Sequence, residues 1–274
     1  MRAINKLVEV NGLQYYNFKP LLEFKNLVHA FSTRKAGTSI PPYDTLNLGL
    51  HVGDERDNVV KNRKKFFAAL GFSLNEGVSV NQVHGNHVKT VEVTDKGRGI
   101  MTIENTLCSA DALVTNKPGI LLTTYYADCV SVFIYDQKTN SIGLAHAGWK
   151  GTLLKIASAT VKKLQHVYQT NPKDCIAVIG PSIGPCCYEV DNRVLESMKK
   201  AYAEWPEYMW SFNESIIKLN LWELNKMSLQ ESGLKEQNIY ISGLCTHCLD
   251  NLFFSHRRDN GKTGRMAAVF GIRG

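Results

Sequence analysis

The chain has 274 residues, of which 44% are hydrophobic and 21% are charged, as is ordinary for a globular protein with a full core. No apolar run approaches the ~18 residues of a membrane span, and the N-terminus, MRAINKLVEVNG, lacks the apolar centre of a secretion signal. The seven cysteines are an odd number, so without a signal we expect thiols or metal ligands rather than disulfides. Composition therefore favours a cytoplasmic enzyme.

The net charge is +7, which raises the question of nucleic-acid binding. However, the basic residues are scattered, and the brief clusters at Arg63-Lys64-Lys65 and Arg257-Arg258 form neither a tail nor a stripe. We therefore predict no nucleic-acid partner and no membrane partner. A modest positive bias favours anionic substrates instead.

The first half of the chain is predicted to contain mainly strands, with one amphipathic helix over residues 57–70 that ends at Gly71. A long polar segment, STRKAGTSIPPYDTLNLGLHVGDE, precedes this helix, and ordered loops of that length are usually functional. The predicted strands cover residues 13–18, 28–31, 78–83, 88–93, 112–115 and 120–126.

Two short apolar runs, at 130–135 and 142–145, flank a polar turn and predict a buried β-hairpin. Cys129 stands just before the first strand, and His146 stands just after the second. Because the two ends of a hairpin lie side by side, we expect these side chains to meet. A thiolate beside an imidazole can bind a soft divalent metal or act as a nucleophile and base.

The second half mixes helices and strands without strict βα alternation, repeats or linkers. We therefore predict one α+β domain over residues 1–274, with mixed β-sheets in a sandwich-like arrangement flanked by helices, rather than a doubly wound fold. Helices are predicted over 153–168, after an Asp191 cap to about 202, and from an Asn220–Glu223 capping box to Gly233; strands are predicted over 176–179, 239–242 and 267–272.

His84 completes a candidate metal site with Cys129 and His146. Each of the three follows a predicted strand and has a small neighbour, which leaves room for a ligand. Two imidazoles and one thiolate leave a fourth position for water, as in catalytic zinc sites. Because the chain has eight His and seven Cys, three unrelated residues remain an alternative, and the hairpin supports only the Cys129–His146 pair.

Cys245 and Cys248 form a C-x-x-C motif that, with Cys186 and Cys187, offers four thiols for a structural site. A second C-x-x-C motif is missing, and adjacent cysteines rarely bind one ion with good geometry. The sequence therefore favours buried thiols near the rim of the site over a second metal.

Several charged residues in loops are candidates for substrate binding or proton transfer. Arg34, Arg265 and the Arg257-Arg258 pair suit phosphate, although each is equally explained as a surface charge. Asp111 and Asp128 have small or apolar neighbours, and such carboxylates orient ligands, carry protons or bond to turns. The sequence lacks P-loop, GxGxxG and GxSxG motifs, so a nucleotide cofactor or a serine-hydrolase elbow is not indicated.

Together these segments resemble the laccase-domain family of multi-substrate purine nucleoside phosphorylases, formerly regarded as polyphenol oxidases. The matching motifs occur in family order from about residue 28 to the C-terminus. They are STRKAGTS, PPYDTLNLGLHVGD, NQVHG, ADALVT, YYADCVSV, GLAHAGWKGT, GPSIGPCCYEV, FFSHRRD and TGRMA.

The resemblance implies a zinc ion held by His84, Cys129 and His146, with copper as an alternative ion. It implies phosphorolysis of adenosine, inosine, guanosine and methylthioadenosine, together with adenosine deamination. By the same resemblance Arg34 and Asn47 point into the cleft, and we assign them to phosphate or ribose.

We expect Asp111 and Asp128 to carry protons in this chemistry. Three alternatives remain open: a copper-dependent polyphenol oxidase, a metal-free cysteine hydrolase that uses Cys129 and His146, and a non-catalytic zinc-binding protein.

Overall fold

Two six-stranded mixed sheets form the centre of the fold. The computed structural model describes residues 4–202, 209–213 and 216–274. The first sheet contains, in spatial order, β1 (Asn5–Val10), β2 (Leu13–Phe18), β3 (Leu27–Ser32), β15 (Met266–Ile272), β7 (Ile120–Tyr126) and β4 (Gly77–Val78). The second contains β14 (Ile239–Ile241), β10 (Cys175–Ile179), β8 (Val130–Asp136), β9 (Ser141–Ala147), β6 (Ala112–Thr115) and β5 (Val88–Thr90).

A small third sheet and the helices complete the fold. The third sheet contains β11 (Glu189–Val190), β13 (Ile216–Leu219) and β12 (Met209–Asn213). The helices are α1 (Lys19–Leu22), α2 (Arg56–Ala69), α3 (Trp149–Leu153), α4 (Ile156–Tyr168), α5 (Asn192–Ala201) and α6 (Leu221–Glu231). Among the described residues, none of these helices is long and apolar enough to cross a membrane.

The main core lies between the two large sheets. The ring of Phe133 on β8 contacts Phe18 on β2 and Phe270 on β15, with ring centroids 5.2 Å and 5.5 Å apart. Helix α2 covers the outer face of the first sheet through buried residues such as Phe66. Helix α4 covers the outer face of the second sheet. The predicted α+β fold with sandwich-like mixed sheets is therefore confirmed.

The central hairpin is confirmed and is longer than predicted at both ends, because β8 and β9 are buried along their whole length. In the second half, Asp191 caps α5 by accepting a hydrogen bond from the Val194 N–H. Asn220 caps α6 by accepting from the N–H groups of Trp222 and Glu223. Both predicted helix starts are therefore confirmed.

Three local predictions are wrong, and each has a physical reason. The strand predicted over 78–83 ends at Val78, since Gln82 turns its side chain to the backbone of Tyr125 and Val83 is exposed. The helix predicted over 153–168 is two helices, because Lys155 adopts a left-handed φ of 55° between α3 and α4. The strand predicted over 88–93 stops at Thr90, because Glu92 begins a 3-10 turn over Val93–Asp95. Strand β1 was not predicted, since three of its six residues are exposed and none is buried.

Candidate metal centre

The β8–β9 hairpin places Cys129 and His146 at the same end of the second sheet. Ser131 pairs with His146, and Val130 pairs with Ala147, so Cys129 is the first residue beyond the ladder. His84 arrives from the loop after β4 with a left-handed φ of 59°. Non-glycine residues in this region are uncommon, and they cluster at functional sites.

The three predicted ligands converge. One nitrogen from each imidazole and the Cys129 sulfur all lie within 4.8 Å of one another. The Cys129 Sγ is 3.9 Å from Nε2 of His84, and the two imidazole rings meet edge to face with centroids 4.9 Å apart. His146 is buried, Cys129 is half-buried and His84 is exposed, so the set is open on one side.

Asp111 holds two members of this set in place. Its Oδ1 lies 3.0 Å from Nδ1 of His146 and accepts a hydrogen bond from the His84 N–H at 2.9 Å. Its Oδ2 accepts from the N–H groups of Gly85 and Val83. Because Nδ1 of His146 faces a carboxylate, Nε2 is the nitrogen available to a metal.

The thiol and the imidazole also influence each other's ionisation. Burial raises the pKa of Cys129, but His146 and His84 outweigh burial and lower that pKa to about 6. Burial lowers the pKa of His146, yet the charges of Cys129 and Asp111 raise it to about 9. The thiolate form of Cys129 and the protonated form of His146 therefore stabilise each other. This pair fits a metal ligand set and also a nucleophile with its base.

Gly148 leaves the space that an ion requires. A Cβ atom at this position would lie 2.9 Å from Cδ2 of His84 and 3.0 Å from Sγ of Cys129. Two imidazoles and one thiolate are ligands that zinc accepts. The donor set and the open space beside Gly148 therefore fit a zinc ion.

The set opens into a cavity of about 640 Å³, a volume typical of small-molecule sites. Aromatic side chains of Tyr125, Trp149 and Tyr188 line part of its wall. Three arginines, Arg63, Arg257 and Arg265, and two further histidines, His51 and His256, line another part, and the arginines carry its positive charge. The cavity therefore offers flat apolar surfaces together with positive charge.

Asp128 lies in the cavity wall and organises the loop that carries Arg257. Its Oδ1 accepts from the Thr246 hydroxyl at 2.7 Å. Its Oδ2 accepts from the Ser255 hydroxyl at 3.0 Å and from the Arg257 N–H at 2.7 Å. A carboxylate has about four acceptor sites. Asp128 therefore has about one unoccupied acceptor site, whereas all four of Asp111 are occupied.

The structure does not bring Arg34 and Asn47 into the cavity, contrary to the sequence prediction that both point into the cleft. Arg34 donates to the backbone and carboxylate of Asp44 and stacks over Phe254, with 4.6 Å from its guanidinium carbon to the ring centroid. Asn47 is fully buried and accepts the Arg265 N–H at 2.8 Å. Neither residue is among those that line the cavity.

Arg265 takes the position that the sequence prediction assigned to Arg34. Its side chain lines the cavity, crosses the face of Gly49 and donates to the carbonyls of Thr263 and Gly264. From the sequence Arg265 was only one of several loop charges, because a loop sequence does not show which way a side chain points.

His51 was missed, although it stands in the matched segment LGLHVGD. It lines the cavity and remains accessible to water. Desolvation and then the charge of Arg265 lower its pKa to about 4, so it is neutral at neutral pH.

Comparisons with known proteins identify the family of this chain. Residues 28–273 match the family described as multi-copper polyphenol oxidoreductase laccase. The purine nucleoside phosphorylase YlmD of Bacillus subtilis is 39% identical over 249 residues, which are 91% of this chain and 90% of that protein. The purine nucleoside phosphorylase YfiH of Escherichia coli K12 is 33% identical over 244 residues, 89% of this chain and 93% of that one.

A solved structure extends the agreement to the fold. The crystal structure of YlmD from Geobacillus stearothermophilus superposes with a TM-score of 0.93 at 38% identity, and the match covers 99% of this chain and 100% of that chain. The fold and the open imidazole–thiol site define a laccase-domain protein. The chain belongs to this family, and the resemblance found in the sequence is confirmed.

Proposed function

We propose that this protein is a zinc-dependent purine nucleoside phosphorylase. Its substrates are adenosine, inosine, guanosine and methylthioadenosine, which it splits with phosphate into a free base and a ribose 1-phosphate. One observation carries the proposal: the His84–Cys129–His146 set and the side chain of Arg265 line the same cavity. The purine nucleoside phosphorylase names of the relatives support the same activity.

The choice of zinc rests on the ligands. In the part of the chain that the structure describes, this set is the only group of three or more converging candidate ligands that includes histidine. A multi-copper oxidase needs further histidines for its other ions, so the described residues support zinc over that alternative. When bound, zinc supplies positive charge that stabilises the negative charge developing on the departing purine.

The other residues bind and orient the two substrates. Two arginines of the cavity lining, Arg265 and Arg257, hold phosphate so that one oxygen faces C1′ of the ribose. Tyr188 and Trp149 provide flat surfaces for the purine. In the reaction a phosphate oxygen bonds to C1′, the C1′–N9 bond breaks, and the purine leaves with the electron pair and takes up a proton.

The two predicted proton carriers have different roles in this proposal. Asp111 does not line the cavity, and its acceptor sites are filled, so it is a positioning residue for His146. Asp128 lines the cavity and has about one free acceptor site, so it remains the candidate for proton transfer.

The unoccupied acceptor site of Asp128 also favours adenosine deamination as a second activity. There a water oxygen bonds to C6 of adenine, the C6–N bond breaks, and ammonia leaves after it receives a proton. Asp128 is the cavity carboxylate available to move that proton.

One experiment tests both activities. Zinc-loaded protein is incubated with adenosine, with and without phosphate, and adenine, inosine and hypoxanthine are separated by chromatography. We expect adenine only when phosphate is present, and inosine in both cases. Failure to release free base with phosphate contradicts the phosphorylase proposal, and failure to form inosine contradicts the deaminase proposal.

The remaining alternatives are separated by metal removal and by an oxidase assay. A metal-free cysteine hydrolase would keep its activity after chelation and lose it in Cys129→Ser. A non-catalytic zinc protein would bind metal but release no base. Oxidation of phenols by copper-loaded protein, without phosphorolysis by zinc-loaded protein, would favour the oxidase.

A further inference from the structure

Four cysteines outside the His84–Cys129–His146 set converge on one point. Cys186 and Cys187 follow β10, and Cys245 and Cys248 follow β14. These two strands are parallel neighbours, so the loops that leave them emerge at the same edge of the sheet. All four sulfurs lie within 4.8 Å of one another. Sγ of Cys248 is 3.3 Å from that of Cys187 and 3.6 Å from that of Cys186.

The exposure of two of these cysteines corrects the sequence prediction of buried thiols near the rim of the site. Cys186 and Cys248 are exposed, and the two adjacent cysteines both face Cys248. The backbone turn at Cys187 makes this possible, because its N–H and that of Tyr188 both bond to the carbonyl of Gly184.

The backbone around Cys245 is arranged to hold a thiolate. The Gly184 N–H donates to Sγ of Cys245 at 3.2 Å, and the N–H of Cys248 donates to the same sulfur. A Cβ at Gly184 would lie 2.8 Å from the Trp222 ring and 3.2 Å from Sγ of Cys186, so the close approach requires glycine.

We propose that Cys186, Cys187, Cys245 and Cys248 bind a second zinc ion in a closed, four-thiolate site. Zinc–sulfur bonds of about 2.3 Å place the sulfurs of a tetrahedral site about 3.8 Å apart. The sulfur–sulfur separations of 3.3 Å and 3.6 Å therefore need only a small expansion. Four protein ligands leave no position for substrate, so the second ion is structural.

The charges around this cysteine cluster suit such an ion. A dication with four thiolates carries two net negative charges. The hollow beside Cys186 and Cys187 is lined by two arginines, Arg257 and Arg258, by His247 and by one carboxylate, that of Glu189, so the guanidinium charges outnumber the carboxylate charge. The Lys218 ammonium donates to the carbonyl of Cys186 at 2.6 Å.

The second ion would fasten two parts of the cavity wall together. On one side, Ile183 and Tyr188 flank Cys186 and Cys187 in the chain and line the cavity. On the other side, Thr246 lies between Cys245 and Cys248 and donates its hydroxyl to Asp128. Loss of the ion should therefore loosen the wall that carries Asp128.

Metal content tests the proposal without any activity assay. Protein purified under reducing conditions and loaded with zinc should retain about two equivalents per chain. His84→Ala/Cys129→Ser and Cys245→Ser/Cys248→Ser should each retain about one, and the combined variant about none. The control variant Cys108→Ser, which removes a cysteine outside both sets, should retain about two. Equal metal content in wild type and Cys245→Ser/Cys248→Ser would overturn the proposal.

A measurement on the wild-type protein covers the case in which the cysteine variants fail to fold. Zinc should protect the four cluster thiols from alkylation, and chelation should expose them, as peptide mass spectrometry reports residue by residue. Unchanged alkylation of Cys186 and Cys248 after chelation contradicts the proposal. A Cys187–Cys248 disulfide in the zinc-loaded, reduced protein contradicts it as well. None of these outcomes depends on phosphorolysis, so this proposal and the proposed function fail separately.

Discussion

The two groups of candidate metal ligands in this protein use cysteine in opposite ways. In the open site, Cys129 joins the imidazoles of His84 and His146. Three ligands leave one position open toward a cavity of about 640 Å³. In the cysteine cluster, Cys186 and its three partners leave no open position. A catalytic metal site and a structural metal site therefore differ in the number of protein ligands and in the space beside them. The presence of a thiol does not distinguish the two kinds of site.

The two groups also differ in how their thiols ionise. His146 and His84 overcome burial and lower the pKa of Cys129 to about 6. Desolvation by the surrounding protein and hydrogen bonds with the neighbouring thiols raise the pKa of Cys186. The histidines therefore favour the thiolate form of Cys129, whereas the cluster thiols gain no such help from a neighbouring imidazole.

The largest expected effect comes from His84→Ala, which removes one ligand from the open site only. Phosphorolysis and deamination should fall by roughly a thousandfold, because metal assistance is worth several kcal/mol. About one equivalent of zinc should be lost and the cluster's equivalent retained. The control is His87→Ala, an exposed histidine that does not line the cavity. Wild-type turnover in His84→Ala would break the distinction between the two sites.

Replacing Gly148 by alanine places a methyl group in the open site, and replacing Gly184 by alanine places one in the cysteine cluster. In Gly148→Ala the new methyl group collides with His84 and Cys129, and in Gly184→Ala it collides with Trp222. Each variant should lose its own metal equivalent, and only Gly148→Ala should lose activity directly, by about a hundredfold. Metal analysis and assays of both variants check this. Loss of both equivalents in either variant would show that the sites are coupled.

Asp111→Asn changes a carboxylate that contacts the open site and not the cysteine cluster. Without the carboxylate beside Nδ1 of His146, zinc affinity at that site should fall about 10- to 100-fold. Asp128→Asn should lower the turnover number and leave zinc affinity nearly unchanged. Competition with a chromophoric chelator measures the affinity. Equal loss of affinity in both variants would refute the separate roles of the two carboxylates.

Arg265→Met tests where phosphate binds. A charge-assisted hydrogen bond is worth about 1.5–3 kcal/mol, so KM for phosphate should rise roughly 10- to 100-fold while KM for adenosine changes little. The matched variant Arg34→Met should mainly lower thermal stability, because its contacts hold the Asp44 loop. A larger phosphate effect in Arg34→Met would restore the assignment made from the sequence.

The smallest expected effect concerns a residue of the sheets that belongs to neither candidate metal site. His29 is buried between the sheets, and desolvation lowers its pKa to about 4 from 6.5. The unfolded chain thus binds the proton first, so stability falls as pH drops from about 6.5 to about 4, by at most about 3 kcal/mol. Denaturant unfolding of metal-free His29→Gln should show a shallower slope in this range. An unchanged slope would contradict the assignment.

The sequence was informative where local pattern determines geometry. The apolar runs around a polar turn predicted the hairpin, and the pairing of its ends brought Cys129 to His146. His84 was proposed from its place after a predicted strand beside Gly85, and the family motif pointed to the same residue. The hairpin did not predict its approach, because its backbone φ of 59° and its position depend on Asp111, which is distant in the chain.

Side-chain direction in loops was not predictable. Arg34 and Arg265 both stand in polar loops, yet Arg34 packs over Phe254 and Arg265 lines the cavity. The convergence of the four cysteines depends on the parallel pairing of β10 with β14, and no short-range pattern indicates that pairing.

The most direct test of the central claim is a zinc titration of phosphorolysis in Cys245→Ser/Cys248→Ser protein that has been stripped of metal. Adenine release from adenosine and phosphate should be absent at the start. It should rise in proportion to added zinc and level off at about one equivalent per chain. Full phosphate-dependent release of adenine by the stripped protein would contradict the claim that His84, Cys129 and His146 hold a catalytic metal.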